Sequence, residues 1–203
     1  MNEPVGVILA GGQATRMGGG DKGLITLNGV SLLGRVRVRL QRQLNTVILN
    51  ANGDPDRFEG LGLPVQADSV TGYAGPLAGV LAGMDWAAGQ GASHIVTVAA
   101  DTPFFPRDLV ARLQQAGSDL AMAVTPDPER GMARHPTFGL WWVDAREDLR
   151  SALQGGVRKV VQWTEPRGCA PVEFAATPYD PFFNVNTPED LKKAEAMIAE
   201  FDL

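Results

Sequence analysis

The sequence predicts an α/β fold of three layers, with helices on both faces of a mostly parallel sheet. Three observations predict it. Short apolar runs alternate with longer segments at helical spacing through most of the chain. The first run, Val5 to Leu9, is apolar throughout, as a strand covered on both faces must be. The 203 residues, 44% hydrophobic and 20% charged, suffice for a sizeable core and exclude a disordered chain. We read residues 1–203 as a single domain.

The elements follow in order. After the strand Val5 to Leu9 comes a Gly-rich loop over 10–23. Ser31 caps a helix over 32–44, with Leu32, Leu33, Val36, Leu40 and Leu44 near helical spacing. Thr46 to Asn50 and Pro64 to Ala67 read as the next strands. Gly75-Pro76 opens a helix reaching Ala88, with Pro76 in the first turn where its missing N–H costs nothing. His94 to Ala99 is a strand and Phe105 to Gln115 a helix. Leu120 to Val124 and the aromatic-rich Phe138 to Val143 are strands, and Asp144 to Leu153 is a helix. A short helix over Val157 to Thr164, a strand over Val172 to Ala175 and a helix from Thr187 to Phe201 complete the chain.

Composition removes several function classes. Acids outnumber bases, 23 to 18, so the net charge of −5 offers no general field for nucleic acid. One cysteine, Cys169, cannot form an internal disulfide, and two histidines leave little for a Cys/His metal cage. This usage suits a reducing compartment, and cytoplasmic location is the expectation. No apolar run approaches the ~20 residues that span a bilayer, and the N-terminus lacks the basic start of a secretory signal.

Three polar features follow predicted strand ends: the loop after Leu9, Asn50, and Asp101 after Ala100. In such sheets ligands sit beyond the carboxyl ends of the strands, so these features should meet on one rim. The loop reads Leu9-Ala10-Gly11-Gly12-Gln13-Ala14-Thr15-Arg16-Met17-Gly18-Gly19-Gly20-Asp21-Lys22-Gly23-Leu24. Paired glycines after a buried strand let backbone N–H groups approach a ligand. Arg16 adds a forked phosphate donor and Lys22 a mobile charge. The Walker pattern fails, because Lys22 is followed by Gly23 instead of Ser or Thr. The spacing Gly18-x-Gly20-x-x-Gly23 starts nine residues past the strand, and the next strand ends in Asn50, not an acid; a dinucleotide site is rejected.

With its Arg16-Met-Gly-Gly-x-Asp21-Lys22-Gly-Leu24 continuation, this loop resembles the signature of the MobA-like nucleotidyltransferases. Further matches are Asn50-Ala51-Asn52, Asp68, Gly75-Pro76-Leu77-Ala78-Gly79, Asp101-Thr102-Pro103, His135-Pro136-Thr137 and Asn184-Val185-Asn186-Thr187-Pro188-Glu189-Asp190-Leu191. They run from Leu9 to Leu191. Departures are small: Thr15 stands where some relatives carry a second Arg, and Ser31 replaces a common Pro.

The resemblance implies a Rossmann-like sheet of the nucleotide-diphospho-sugar transferase kind. It implies transfer of GMP from GTP to the phosphate of Mo-molybdopterin, with release of pyrophosphate. Leu9, Ala10, Gly11 and Gly12 would contact the nucleotide, Asn50 and Asp68 its base and ribose, and Gly75 a neighbouring segment of it. Arg16 and Lys22 would hold the triphosphate, and Asp101 a Mg²⁺ ion, or Mn²⁺ in its place, with Asn186 as a further oxygen ligand. His135, Asn184 and Asn186 would border the acceptor. Proteins that deliver or accept the cofactor are implied partners; nucleic acid and membrane are not.

Taken without the resemblance, Asn50 also suits a turn, Asp68 a solvated loop, Gly75 a helix start, Asp101 a helix cap and His135 a structural role. Arg158 and Lys159 could reach an anionic acceptor or face solvent. The chemistry is coherent all the same. A phosphomonoester with its second pKa near ~6 is largely ionised at neutral pH and needs no enzymic base. Three alternatives stay open: a cytidylyl- or other nucleotidyltransferase of the same fold, a non-catalytic GTP-binding regulator, and a nucleotide-sugar transferase. The absence of Asp-x-Asp at Asp101 argues against the last.

Overall fold

The computed structural model describes residues 3–11, 22–70, 72, 75–201 and 203. Val5–Leu9 (β1) is buried at every residue and pairs in parallel on both sides, with Val47–Asn50 (β4) and His94–Ala99 (β6). Val65–Gln66 (β5) extends the sheet in parallel beyond β4. On the other side Gly131–Trp142 (β8) runs antiparallel to β6 and to Leu120–Asp127 (β7), and Ala170–Glu173 (β9) pairs in parallel with β7. The order is β5-β4-β1-β6-β8-β7-β9, mostly parallel as expected. Thr26–Leu27 (β2) and Val30–Ser31 (β3) form a separate small hairpin.

Helices cover both faces. On one side Leu32–Gln41 (α1) and Leu109–Gln115 (α3) pack Leu33, Val36, Leu40, Leu109 and Leu113 onto Ile8, Leu49 and Val98. On the other, Pro76–Gly89 (α2), Arg146–Gln154 (α4) and Val160–Thr164 (α5) pack Leu77, Leu81, Met84, Leu149, Leu153 and Val160 onto Val5, Val7, Leu9 and Ile48. Alternate residues of β1 thus face opposite layers, as a period of two requires. Pro188–Phe201 (α6) lies against a smaller core with Leu27, Leu32, Phe104 and Val185. No helix among the described residues is long and apolar enough to cross a membrane.

Capping follows the sequence. Ser31 Oγ accepts from Gly34 N at 3.0 Å and starts α1. Thr187 Oγ1 accepts from Asp190 N at 3.1 Å while Asp190 Oδ2 accepts from Thr187 N at 3.0 Å, a reciprocal box at the start of α6.

Among the local differences from expectation, three shape the fold most. The helix after β6 begins at Leu109 and not at Phe105. Side chains of α1 and of the turn after it hold the segment before α3: Arg39 donates to Pro103 O at 3.1 Å and Gln43 to Pro106 O at 3.1 Å, while Gln43 Oε1 accepts from Val110 N in the first turn of α3. Phe105 is thereby turned inward against Phe138, with ring centroids 5.9 Å apart. Strands β7 and β8 run further than the apolar pattern suggests, because their outer halves form a hairpin closed by Asp127. Its Oδ1 accepts from the N–H groups of Glu129 and Arg130, which hold its carboxyl below the ordinary range. The β2–β3 hairpin turns through Asn28 and Gly29, both at positive φ (50° and 75°), as a tight two-residue turn requires.

Candidate active site

Register brings the site together. Leu9 pairs with Asn50 on one side and Ala99 on the other, and Asn50 pairs with Gln66. Four strand ends therefore lie in one row, roughly 14 Å across at about 4.8 Å per strand. The chain leaves that row at Ala10-Gly11, Ala51-Asn52, Ala67-Asp68 and Ala100-Asp101. A cavity of about 410 Å³ opens there, lined by Leu9, Ala10, Gly11, Lys22, Gly23, Asn50, Asn52, Asp68, Gly75, Pro76, Ala99, Ala100, Asp101, Thr137 and Asn184. It lies where α1 and α2 leave the sheet on opposite faces, which is where open α/β sheets bind ligands.

One end of the cavity is built around Asp68. Asn50 Nδ2 donates to Asp68 Oδ1 at 2.9 Å and to Gln66 O at 3.1 Å. Asn52 Nδ2 donates to Asp68 Oδ2 at 2.8 Å, and Asn52 Oδ1 accepts from Asp68 N at 2.9 Å. Both oxygens of one carboxylate are thus held from the protein side. Asn50 is only 3% exposed and both its amide hydrogens are engaged, so its part is to orient Asp68. Room for Asn50 comes from α2: a Cβ on Gly79 would stand 2.2 Å from Asn50 Oδ1.

The other end gathers charge from three distant segments. Lys22, in the turn before β2, places Nζ 2.7 Å from Asp101 Oδ2 and also donates to Asn186 Oδ1. Thr102 Oγ1 lies within hydrogen-bond reach of both Asp101 Oδ1, at 3.1 Å, and Asn184 Oδ1, its one hydrogen shared between the two oxygens. Val185 N donates to Asp101 O at 2.9 Å, so Asn184 and Asn186 flank a fixed point of contact with the Asp101 segment. Asp190 Oδ2 accepts from Asn186 N at 3.1 Å and anchors the far side. Asp101 caps no helix, since α3 begins eight residues later.

Two hard oxygens, Asp101 Oδ2 and Asn186 Oδ1, converge on one cation, the Lys22 ammonium. This donor set fits Mg²⁺, which takes one or two protein oxygens and fills its shell with substrate phosphate and water. Among the described residues there is no cluster of three His, Cys, Asp or Glu side chains that would hold a metal by itself.

Most of the expected site residues meet at the cavity. Leu9, Ala10, Gly11, Lys22, Asn50, Asp68, Gly75, Asp101 and Asn184 line the cavity, and Asn186 reaches it through Lys22. Gly12 and Arg16 lie outside the described residues, as does the rest of the loop to Asp21. Gly75 adopts φ +130°, a conformation closed to most side chains, and opens α2. His135 does not line the cavity. It bonds Thr125 Oγ1 at 2.9 Å and stacks on Phe182 at 4.1 Å, and burial pulls its pKa below the ordinary value against a smaller opposing effect of Asp180. Thr137, two residues along the same strand, lines the cavity in its stead. Sequence reasoning also passed over Thr102, which is fully buried and joins Asp101 to Asn184; the one signal was its place inside Asp-Thr-Pro.

Comparison with known proteins finds relatives of the whole chain. The sequence profile of the MobA-like NTP transferase domain matches residues 6–168. The chain is 50% identical over 204 residues to the molybdenum cofactor guanylyltransferase of a Bradyrhizobium species, covering 97% of this chain and 94% of that one. The enzyme of the same name from Nitrobacter hamburgensis is 49% identical over 201 residues, covering 96% and 94%. Among solved structures, molybdopterin-guanine dinucleotide biosynthesis protein A from Archaeoglobus fulgidus shares the fold, with a TM-score of 0.68 at 22% identity over 97% of this chain and 99% of that one.

Proposed function

This chain belongs to the MobA-like NTP transferase family, and from that premise we propose that it transfers GMP from GTP to the phosphate of Mo-molybdopterin, releasing pyrophosphate. One observation supports this most: a single cavity holds an oriented carboxylate at one end and the Lys22–Asp101–Asn186 cluster at the other. The base belongs at Asp68. Guanine presents two neighbouring N–H donors, on N1 and the exocyclic amine, which a carboxylate can accept together. Cytosine offers only its amine on that edge, so Asp68 favours guanine.

The triphosphate then runs past the backbone of Leu9 to Gly11 toward Lys22. Asp101 and Asn186 would hold Mg²⁺, which when bound neutralises charge on the phosphates. Lys22, together with Arg16, pairs with phosphate oxygens and steadies the pyrophosphate as it leaves. The acceptor phosphate is already an anion at neutral pH, so the attack needs no proton removed. The site's work is to fix the reacting groups in line and to balance charge in a confined space. Asn184 and Thr137 border the acceptor side. The single cysteine suits the cytoplasm, where proteins that deliver and accept the cofactor would meet the enzyme.

The test is pyrophosphate release from purified protein with each of the four triphosphates, Mg²⁺ and Mo-molybdopterin. Release with GTP well above CTP is expected. Release favouring CTP would support the cytidylyl alternative, and GTP binding without release would make the protein a regulator.

A further inference from the structure

We infer that Lys22 occupies the metal position of the nucleotide-free protein, so that the divalent cation enters with the triphosphate and not ahead of it. The inference rests on the assignment of Asp101 and Asn186 as metal ligands. It starts from the ammonium itself. Lys22 Nζ lies 2.7 Å from Asp101 Oδ2 and also donates to Asn186 Oδ1. The other carboxylate oxygen, Oδ1, is engaged by Thr102 Oγ1. Asp101 therefore has one oxygen turned toward a cation, and Lys22 has it.

A bare metal ion arriving at these oxygens meets a positive charge already in contact with them. Among the described residues, the charged ones lining the cavity are Lys22, Asp68 and Asp101. Asp68 sits at the β5 end, across the row of strand ends from Asp101, so it lies apart from the oxygens that hold Lys22. The side chains of Lys22 and Asp101 are 16% and 22% exposed, which limits how far water compensates the repulsion. A nucleotide changes the balance. Its phosphate oxygens accept the ammonium, the flexible four-carbon stem lets Nζ change partners, and Asp101 and Asn186 are released for the metal that the triphosphate carries. Lys22 then serves twice, as resting counter-ion of Asp101 and as a triphosphate ligand.

The experiment uses Mn²⁺ as the probe and the electron paramagnetic resonance of free Mn²⁺ as the readout, on the full chain. It is run without nucleotide and with a non-hydrolysable α,β-methylene analogue of GTP. Wild-type protein should bind Mn²⁺ weakly alone and more tightly with the analogue. Lys22→Met keeps the stem and removes the charge; without nucleotide it should bind Mn²⁺ at least about tenfold more tightly than wild type, the scale of a contacting charge. Adding Asp101→Asn to it should erase that gain. An affinity in Lys22→Met no greater than wild type overturns the inference. If Lys22→Met does not fold, Lys22→Gln takes its place, and wild-type protein that binds Mn²⁺ equally with and without the analogue overturns the inference by itself. Failure of both proteins to bind the analogue at all would count against the proposed function, while the nucleotide-free comparison would still decide the role of Lys22.

Discussion

Gly79→Ala is the most informative single substitution, because two opposite outcomes are predicted by helix propensity and by the site. In a helix interior, glycine to alanine ordinarily stabilises by roughly 1 kcal/mol. Here the new Cβ would stand 2.2 Å from Asn50 Oδ1 and 2.9 Å from both Asn50 Cγ and Leu9 Cδ2, closer than such atoms approach. Asn50 is 3% exposed and cannot yield without loosening its bonds to Gln66 O and Asp68 Oδ1. Overpacking costs about 1–3 kcal/mol. The two hydrogen bonds are worth about 1–2 kcal/mol each, the upper value for the charged acceptor. Set against the propensity gain, the variant should lose about 2–6 kcal/mol. At roughly 2–4 °C per kcal/mol for a chain of this size, Tm should fall by roughly 4–24 °C. With Asp68 less firmly held, KM for GTP should rise about tenfold, or ~1.4 kcal/mol of binding. Thermal melts and steady-state kinetics at saturating acceptor read both. In an Asn50→Ala background the same change should cost much less, since its chief obstacle is gone. A Gly79→Ala protein with raised Tm and unchanged KM would refute the reasoning.

Other predictions concern separate parts of the molecule. Asp101→Asn should cut kcat by about 10²-fold or more, as loss of preorganised charge at a reacting centre does, with little change in Tm; near-normal kcat would remove the metal assignment. Burial lowers the pKa of both His94 and His135 below the ordinary 6.5, with Asp119 and Asp180 opposing in turn. The unfolded chain then takes up protons first, so stability present above pH 6.5 should decline as pH falls below it, by at most about 1.4 kcal/mol per pH unit for each histidine. Urea unfolding at pH 7.5 and 5.5 checks this, and equal stability at both would contradict it. Burial raises the Cys169 thiol to about 11, so alkylation by iodoacetamide at pH 8 should be roughly 100-fold slower than in the unfolded chain. Equal rates would show the thiol open to solvent.

Much of the site was legible because it depends on where strands end. Leu9, Asn50 and Ala99 each close an apolar run, and parallel register turns those three endings into one row. The buried strands and capped helices could be read for the same reason: Ser31, Pro76 and Thr187-Pro188 mark their helices locally. What was not legible depends on contacts between distant residues. No local pattern says that Arg39 and Gln43 hold the 103–108 segment out of a helix. None says that Gly79 clears space for Asn50, or that Thr102 ties Asp101 to Asn184. His135 was drawn toward the acceptor by its motif, whereas Thr125 and Phe182 hold its ring and Thr137 faces the cavity. The β2–β3 hairpin had a signal in Asn28-Gly29, but flanking strands of two residues are too short to show alternation.

Following the label of GTP through one turnover tests the central claim most directly. With Mo-molybdopterin as acceptor, phosphorus label at the α position should end in the guanine dinucleotide product, and label at the γ position in pyrophosphate. Label from the α position found only in free GMP, or γ label found as inorganic phosphate, would show hydrolysis and contradict the account.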